Sequence, residues 1–199
     1  MVKVILFNGP PGCGKDTVVQ HLLDAYPEVF RSQRFALTLK AGLHTLLGLD
    51  EDDAAFEDCK DKPIAEFFGR SPRELYIWVS ERVMKPAFGD ECFGHIWLRK
   101  YHDWIKWVPD DENTIVLVPD CGFAPEINPL INHFGAENIL LIRIYRQGHD
   151  FSSDSRSYIT GVLPKELEVV NVNDEPVRVC QQVEHLLNIH RVFADFYEA

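Results

Sequence analysis

The chain has 199 residues, of which 46% are hydrophobic, and this is enough to bury one sizeable core. Its formal net charge of −11 argues against broad binding to nucleic-acid polymers or membranes, because such binding depends on positive fields. No run of residues is long and apolar enough to span a membrane, and no signal peptide is recognisable, so a cytoplasmic protein is expected.

The cysteines are scattered, odd in number and without a C-x-x-C pair. This pattern predicts free thiols in a reducing compartment rather than zinc ligands or disulfides. The five residues concerned are Cys13, Cys59, Cys92, Cys121 and Cys180.

The first predicted elements are a strand, a glycine-rich loop and a helix. Val2 to Phe7 form an apolar run typical of a buried strand, and Lys15 to Tyr26 have a helical pattern. Between them lies G-P-P-G-C-G-K, the G-x-x-x-x-G-K pattern of a P-loop in its required setting. Such a loop directs backbone N–H groups at phosphate oxygens, and its lysine adds a charge for the β- and γ-phosphates. A nucleoside triphosphate site is therefore expected at Gly9, Gly12, Cys13, Gly14, Lys15, Asp16 and Thr17.

Two features of this loop lead to further expectations. Asp16 stands where Ser or Thr usually follows the lysine and holds Mg²⁺. We hypothesise that Asp16 and Thr17 reach the metal, partly through water; the alternative is that Asp16 only stabilises the start of its helix. Bound nucleotide is also expected to shield the thiol of Cys13 from alkylation.

The region from about residue 36 to 107 follows a short predicted strand, Val29 to Phe35, and has mainly helical patterns. Ser71 and Pro72 mark a helix start, whereas the acidic stretch Asp50 to Asp61 is expected to be a solvated excursion. A guanidinium for a phosphate, a ring for a base and a carboxylate for a base edge or sugar would suit a nucleoside monophosphate. The side chains of these types proposed for the acceptor are Lys40, Arg70, Arg73, Glu81 and Trp97.

Two more buried strands are predicted at Ile115 to Val118 and Ile139 to Tyr145, and a last strand is predicted at Leu167 to Val172. Strands that alternate with helices indicate a parallel sheet, whose ligands lie at the carboxyl ends of the strands. Gly9, Asp120, Arg146 and Asn173 fall at those ends. Asp120 occupies the Walker B position, where a carboxylate holds magnesium through water or orients the acceptor; capping of the following helix is the alternative.

Three arginines are candidates for the chemistry. Arg143 lies inside an apolar strand and needs an anionic partner, which a buried ion pair or a phosphate satisfies equally well. Arg146 and Arg156 are better placed to neutralise charge on a phosphoryl group in transfer. The segment from Gln147 to about residue 164 is interpreted as a small closing lid, with an ordinary flexible loop as the alternative.

The sequence resembles the bacteriophage deoxynucleoside monophosphate kinases, within the P-loop nucleoside monophosphate kinase fold. The resemblance is discontinuous but extends over nearly the whole chain. It rests on G-P-P-G-C-G-K-D-T at Gly9 to Thr17, Leu39-Lys40-Ala41, Ser71-Pro72-Arg73-Glu74-Leu75, Ser80-Glu81, Trp97, Pro119-Asp120, Glu126, Arg143, Arg146 and Val172-Asn173-Asp174.

The resemblance implies a single three-layer domain over residues 1–199, with a five-stranded parallel sheet, an acceptor-binding helical insert and a lid. It implies an acceptor site at Lys40, Arg73, Ser80, Glu81, Trp97, Asp120 and Glu126, and places Asn173 near adenine. Relatives often have arginine where this chain has Gly122, histidine where it has Arg156, and Gly-Thr where it has Ser80-Glu81. These differences bear on base specificity more than on the reaction.

The expected reaction is therefore Mg²⁺-dependent transfer of the ATP γ-phosphoryl group to a deoxynucleoside monophosphate. A kinase for another small acceptor, such as phosphomevalonate or dephospho-coenzyme A, is an alternative on the same scaffold. A nucleotide-dependent switch that hydrolyses ATP slowly is another. The sequence leaves the accepted bases and the formation of a homodimer open.

Overall fold

The computed structural model describes residues 2–49, 53–106, 114–152, 154–172 and 175–189. Its centre is a five-stranded parallel sheet in the order β2-β3-β1-β4-β5. The strands are β1 (Val4–Asn8), β2 (Phe30–Ser32), β3 (Ile115–Val118), β4 (Ile139–Arg146) and β5 (Glu166–Asn171). The predicted α/β fold with a parallel sheet is confirmed.

Seven α-helices are assigned within the described ranges, and together with the sheet they form three layers. They are α1 (Lys15–Ala25), α2 (Leu37–Leu46), α3 (Pro72–Val79), α4 (Lys85–Phe88), α5 (Cys92–Ile105), α6 (Asn128–Phe134) and α7 (Pro176–Ile189). None of the described helices has both the length and the apolar character needed to cross a membrane.

The sheet separates two hydrophobic cores, because alternate side chains of a strand point to opposite faces. Ile5 and Phe7 pack with residues of α1 and α7, which we call the α1/α7 core. Val4 and Leu6 pack with residues of α5 and α6, which we call the α5/α6 core. Both faces of β1 are therefore covered, as its unbroken apolar sequence predicts.

The helical insert leaves the sheet after β2 and returns to it at β3. Its best-defined start is that of α3, where Ser71 and Glu74 form a reciprocal capping box and Pro72 occupies the first turn. A single π-helical turn, Ser80–Met84, then joins α3 to α4. Pro86 lacks the N–H needed to continue the α-helical hydrogen bonds, so the predicted helix is divided at this point.

Other predicted elements differ from the structure in detail. Helix α5 begins at Cys92 rather than Ile96, and the helix predicted from Pro125 begins with a 3₁₀ turn, Ala124–Ile127. The described part of the acidic excursion contains a 3₁₀ segment, Asp53–Cys59. Asn173 lies outside the described residues, and the limits of the acceptor region and lid stay predictions.

Candidate active site

The P-loop joins β1 to α1 and contains glycines that other residues could not easily replace. Gly12 and Gly14 have φ angles of 74° and 108°, in the left-handed region that favours glycine. A Cβ atom on Gly12 would lie 2.7 Å from Cε1 of His149, and one on Gly14 would lie 2.6 Å from Nδ2 of Asn171. The backbone conformation therefore requires glycine at these two positions, and a larger residue would also displace the ends of the His149 and Asn171 side chains.

Three side chains from the carboxyl ends of β4 and β5 bind carbonyl groups of this loop. Nη1 of Arg146 donates to Gly12 at 2.8 Å, Nδ2 of Asn171 donates to Cys13 at 2.8 Å, and Nδ1 of His149 lies 2.9 Å from the oxygen of Pro11. These hydrogen bonds attach the loop to the carboxyl ends of the neighbouring strands β4 and β5.

Lys15 is buried, with 7% of its surface exposed. Its Nζ atom donates to the carbonyl oxygens of Gly9 at 2.6 Å and Pro10 at 2.8 Å. Burial lowers the pKa of the Lys15 ammonium group, while the nearby Cys13 opposes this effect. The lysine is thus positioned at the loop by backbone oxygens rather than by a carboxylate.

One cavity, of about 250 Å³, extends from the P-loop to the helical insert, and we call it the first cavity. It combines positive side chains with aromatic rings, a composition that suits an anionic ligand bearing a flat ring system. Its positive residues are Lys15, Arg34, Lys40, Lys60, Arg73 and Arg156. Its aromatic residues are Phe35, Phe56, Tyr76, Phe93 and Phe123.

A second cavity, of about 370 Å³, lies along the start of α1 and the carboxyl ends of β4 and β5. Its lining includes Thr17, Arg146 and Asn171. Gly12, Lys15 and Asp16 line both cavities. The P-loop therefore presents its lysine and the N-terminus of α1 to two adjoining spaces.

Most of the predicted acceptor residues do line the first cavity. They are Lys40, Arg73, Ser80, Glu81, Asp120 and Glu126. Arg73 forms an ion pair with Asp61, and Oγ of Ser80 donates to Glu81 at 3.1 Å. The structure thus brings together side chains that are up to 86 positions apart in the sequence.

Two predicted acceptor residues lie elsewhere. Trp97 has 1% of its surface exposed, stacks on Tyr101 in the α5/α6 core and donates from Nε1 to Gln33 at 3.1 Å. Arg70 is exposed and forms an isolated β-bridge with Ile64. Neither Trp97 nor Arg70 is among the residues that line the two cavities. The interpretation of Trp97 as a base-stacking side chain is therefore corrected to a core residue.

The interpretation of Arg143 as a candidate for the chemistry is also corrected. Arg143 forms ion pairs with Glu166 and Glu168 on the neighbouring strand β5, and its Nη1 donates to the carbonyl of Ile159 at 2.7 Å. It lines neither cavity. Of the two interpretations of its sequence position, the buried ion pair is confirmed.

Asp120 accepts two backbone hydrogen bonds at the start of α2. The N–H of Phe35 donates to Oδ1 and the N–H of Ala36 to Oδ2, both at 2.9 Å. The carboxylate therefore stabilises the positive end of an earlier helix, not of the one that follows it. It lines the first cavity as well, so it fixes the insert beside the P-loop.

Arg156 reaches the first cavity over Gly122. Its Nε donates to Oδ1 of Asp154 at 2.8 Å, and its Nη2 donates to the second oxygen. Asp154 is itself buried, with 5% of its side chain exposed. A Cβ atom on Gly122 would lie 2.1 Å from Cδ of Arg156, so the arginine stem occupies the space above this glycine.

The second half of the predicted lid is attached to the sheet by Asn8, which is fully buried. Its amide group donates to the carbonyls of Cys121 at 3.0 Å and Ser157 at 3.1 Å, and accepts from the N–H of Ile159 at 3.0 Å. One side chain thus joins the end of β1 to the segment after β3 and to the segment after β4.

Sequence reasoning missed Asn8, Asp154, His149, Asn171 and the cavity's aromatic rings. Asn8 had a usable signal, since a polar residue directly before the P-loop glycine ends an otherwise apolar strand. His149 and Asn171 act through contacts with the distant P-loop, which no local pattern reveals, whereas Asp154 pairs with Arg156 only two positions away.

The fit of Mg²⁺ depends on oxygen ligands beside the P-loop. Among the described residues, no group of three or more His, Cys, Asp or Glu side chains could hold a metal by itself. Mg²⁺ needs few protein ligands, because it keeps several waters and binds phosphates. Asp16 and Thr17 line the second cavity, and Oδ1 of Asp16 accepts from Arg34 at 2.6 Å. These residues suit a magnesium–nucleotide complex better than a metal bound by protein alone.

No family model matches the sequence, and no curated protein matches it significantly. Among solved structures, a sugar kinase from Janibacter sp. HTCC2649 is 14% identical, with a TM-score of 0.46 over 95% of this chain and 96% of that chain. A provisionally assigned kinase from Chloroflexus aurantiacus is 13% identical, with a TM-score of 0.48 over 94% of this chain and 96% of that chain. An uncharacterised protein from Eubacterium ventriosum is 12% identical, with a TM-score of 0.40 over 94% of this chain and 99% of that chain. Similarity this remote assigns no activity, which has to be inferred from the site itself.

Proposed function

We propose that this chain is a kinase that transfers the γ-phosphoryl group of ATP to a deoxynucleoside monophosphate. The observation that carries the proposal is the pair of cavities that meet at Gly12, Lys15 and Asp16. A hydrolase needs one nucleotide site, whereas a phosphotransferase needs a donor site and an acceptor site on either side of the transferred group.

The donor is assigned to the second cavity. The loop N–H groups and the N-terminus of α1 bind its phosphates, and Lys15 interacts with the β- and γ-oxygens. Arg146 lies beside them, already hydrogen-bonded to Gly12. Mg²⁺, when bound through Asp16 and Thr17, would neutralise part of the phosphate charge.

The acceptor is assigned to the first cavity. Arg73 and Lys40 supply positive charge for its phosphate, and the aromatic rings supply apolar surfaces for its base. The choice of a deoxynucleotide over other phosphorylated acceptors follows from the sequence resemblance.

Little proton chemistry is needed for this reaction, because a phosphate monoester is largely ionised at neutral pH and can attack directly. Catalysis then consists of positioning and charge neutralisation. Arg146 on the donor side and Arg156 on the acceptor side are the side chains for this role, and exclusion of water from the first cavity would limit hydrolysis.

The test is a coupled assay of ADP formation with ATP and Mg²⁺, against a panel of deoxynucleoside and nucleoside monophosphates, phosphomevalonate and dephospho-coenzyme A. We expect strong stimulation by at least one deoxynucleotide. Lys15→Met should reduce the stimulated rate on the order of 100-fold or more, because it removes charge stabilisation at the transferred group. Lys62→Met removes an exposed lysine of the insert and serves as the matched control.

Two outcomes would contradict the proposal. Stimulation by phosphomevalonate or dephospho-coenzyme A alone would keep the reaction type but replace the acceptor. A steady ADP background that no acceptor raises would indicate a slow ATPase or nucleotide-dependent switch, and Arg73 and Lys40 would lose their assigned role.

A further inference from the structure

Glu126 is an unusual residue for the wall of a cavity. It lies in the 3₁₀ turn Ala124–Ile127, lines the first cavity and has only 4% of its surface exposed. Within the described part of the chain, no group donates a hydrogen bond to its carboxyl oxygens. A buried carboxyl without partners is costly as an anion, so it needs either a ligand or a proton.

The nearby positive groups are already bound to other acidic residues. Nζ of Lys85 donates to Glu81 at 2.7 Å and lies 3.1 Å from the ring centroid of Phe123. Arg156 is held by both oxygens of Asp154. Among the described residues, no ion pair joins either cation to Glu126.

Several titratable groups face Glu126 from the elements packed around it. They are Glu81 and Lys85 from the insert, Cys92 from α5, Asp120 and Cys121 after β3, and Arg156 from the segment after β4. Burial is the main effect and, although Lys85 opposes it, raises the pKa of Glu126 to about 8, with Asp120 and Glu81 adding to the rise.

We propose that Glu126 recognises the base of the acceptor as a neutral carboxylic acid that donates one hydrogen bond and accepts another. This inference rests on the proposed function, and it names the base as the part of the acceptor that Glu126 recognises. A carboxylic acid has an O–H donor beside a C=O acceptor, whereas a carboxylate can only accept.

Each of the four bases presents one donor next to one acceptor on its pairing edge. Adenine offers N6 and N1, cytosine offers N4 and N3, guanine offers N1 and O6, and thymine offers N3 and O4. A neutral carboxylic acid matches all of these edges, because either of its oxygens can carry the proton. A carboxylate needs two adjacent donors, which only guanine supplies, at N1 and N2. The neutral acid would therefore accept several bases, and its ionisation would favour guanine.

The experiment compares kcat/KM for dCMP with that for dGMP at pH 6.5 and pH 8.5. Both substrates carry the same phosphate and meet the same Lys15, so titrations shared by the two cancel in the ratio. We expect the dCMP to dGMP ratio of the wild-type protein to fall about four-fold, as loss of one proton with a pKa of about 8 requires.

Glu126→Gln is the matched variant, because an amide keeps one donor and one acceptor but does not titrate near pH 8. We expect it to use both substrates and to show a ratio independent of pH. Glu126→Leu keeps the volume in an apolar form, and we expect it to lose at least ten-fold in kcat/KM for both substrates, because the base edge then meets no partner.

The proposal is overturned if the wild-type ratio does not change with pH, if Glu126→Gln shows the same pH dependence, or if Glu126→Leu uses dCMP as well as the wild type does. If no deoxynucleotide stimulates ADP formation at either pH, the proposed function fails and this inference fails with it. Stimulation without any effect of the Glu126 variants contradicts this inference alone.

Discussion

At the scale of single residues, the position of Arg156 depends on the absence of a side chain at Gly122. The arginine stem passes over Gly122, and the guanidinium is then fixed by the buried carboxylate of Asp154. Gly122 is not among the residues with positive φ, so alanine could adopt the same backbone conformation. What glycine provides at this position is space.

Gly122→Ala should therefore displace Arg156 with little effect on the backbone. We expect acceptor-stimulated kcat/KM to fall by roughly 10- to 100-fold, the scale found when a positioned group moves by about 1 Å. The measurement is steady-state kinetics together with the free energy of unfolding in urea. Gly42→Ala is the control, because a Cβ atom there has no neighbour within 4 Å. Equal kinetics for the two variants would remove Arg156 from the acceptor site.

Individual residues were predictable from the sequence when a local motif defined their role. Lys15 follows from the P-loop pattern, and Arg73 from its place in the first turn of a well-capped helix. Trp97 and Arg143 show the limit of this reasoning. Both have side chains that suit ligands, but the tryptophan packs in the core and the arginine meets two glutamates on an adjacent strand, and only strand and helix packing decides this.

At the scale of elements, the link between β4 and β5 depends on Glu166. The carboxylate forms an ion pair with Arg143 and accepts hydrogen bonds from the backbone N–H groups of Gly161, Val162 and Leu163. Burial alone would raise the pKa of Glu166, but these hydrogen bonds together lower it to about 2. The folded protein thus prefers the ionised form more strongly than the unfolded chain does.

This pKa predicts how stability changes in acid. A lowered pKa adds stability that is fully present above the ordinary glutamate value and is lost as the pH falls toward 2. The loss should reach about 3 kcal/mol between pH 5 and pH 2, and Glu166→Gln should abolish that part of the pH dependence. Urea unfolding at several pH values measures it.

Glu168→Gln provides the comparison for this experiment. Glu168 binds the same arginine, but 58% of its side chain is exposed, so its contribution should be much smaller. If both variants lost the same part of the pH dependence, the turn at residues 161–163 would not be what stabilises the ionised Glu166.

The capping box of α3 gives a second prediction at this scale, because the helix presents Arg73 and Tyr76 to the first cavity. Ser71→Ala should lower the free energy of unfolding by about 1 kcal/mol and raise the KM for the acceptor more than the KM for ATP. Thr45→Ala removes an exposed hydroxyl from α2 in the same insert and is the control. Equal changes in both KM values would contradict a local effect on the acceptor side.

Elements were more predictable than side-chain roles. Strands β1, β3 and β4 follow from short apolar runs, whereas β2 and β5 also contain charged or polar residues. The start of α3 follows from Ser71 and Glu74. The division of the next helical stretch by a π-turn was not predicted, because Pro86 indicates a break but does not say how the chain accommodates it.

At the scale of the whole molecule, the buried thiols report on both hydrophobic cores. Cys13 and Cys180 belong to the α1/α7 core, and Cys92 and Cys121 to the α5/α6 core. Cys13 has no exposed surface, so the loop's own packing shields its thiol. Additional protection of Cys13 by bound nucleotide stays a prediction.

If the two cores unfold together, these four thiols should be labelled at one common rate in moderate denaturant, and only Cys59, which is half-buried, should react rapidly without it. Mass spectrometry after pulsed alkylation measures the rate at each site. ATP at about 100 times its Kd should increase the free energy of opening by about 2.7 kcal/mol at all four. Much faster labelling of Cys92 and Cys121 would show that the α5/α6 core opens separately.

The sheet order also bears on how such a protein can diversify. The chain leaves β2, forms the helical insert and returns in β3, and these two strands are hydrogen-bonded neighbours at one side of the sheet. An insert of different length or composition can therefore be exchanged between two fixed, adjacent points without interrupting the pairing of β1, β4 and β5. A replacement would have to keep the two hydrogen bonds from Phe35 and Ala36 to Asp120, which attach the start of the insert to the segment after β3. Grafting a new specificity onto this scaffold becomes a problem of matching two ends, rather than of redesigning the phosphate-binding frame.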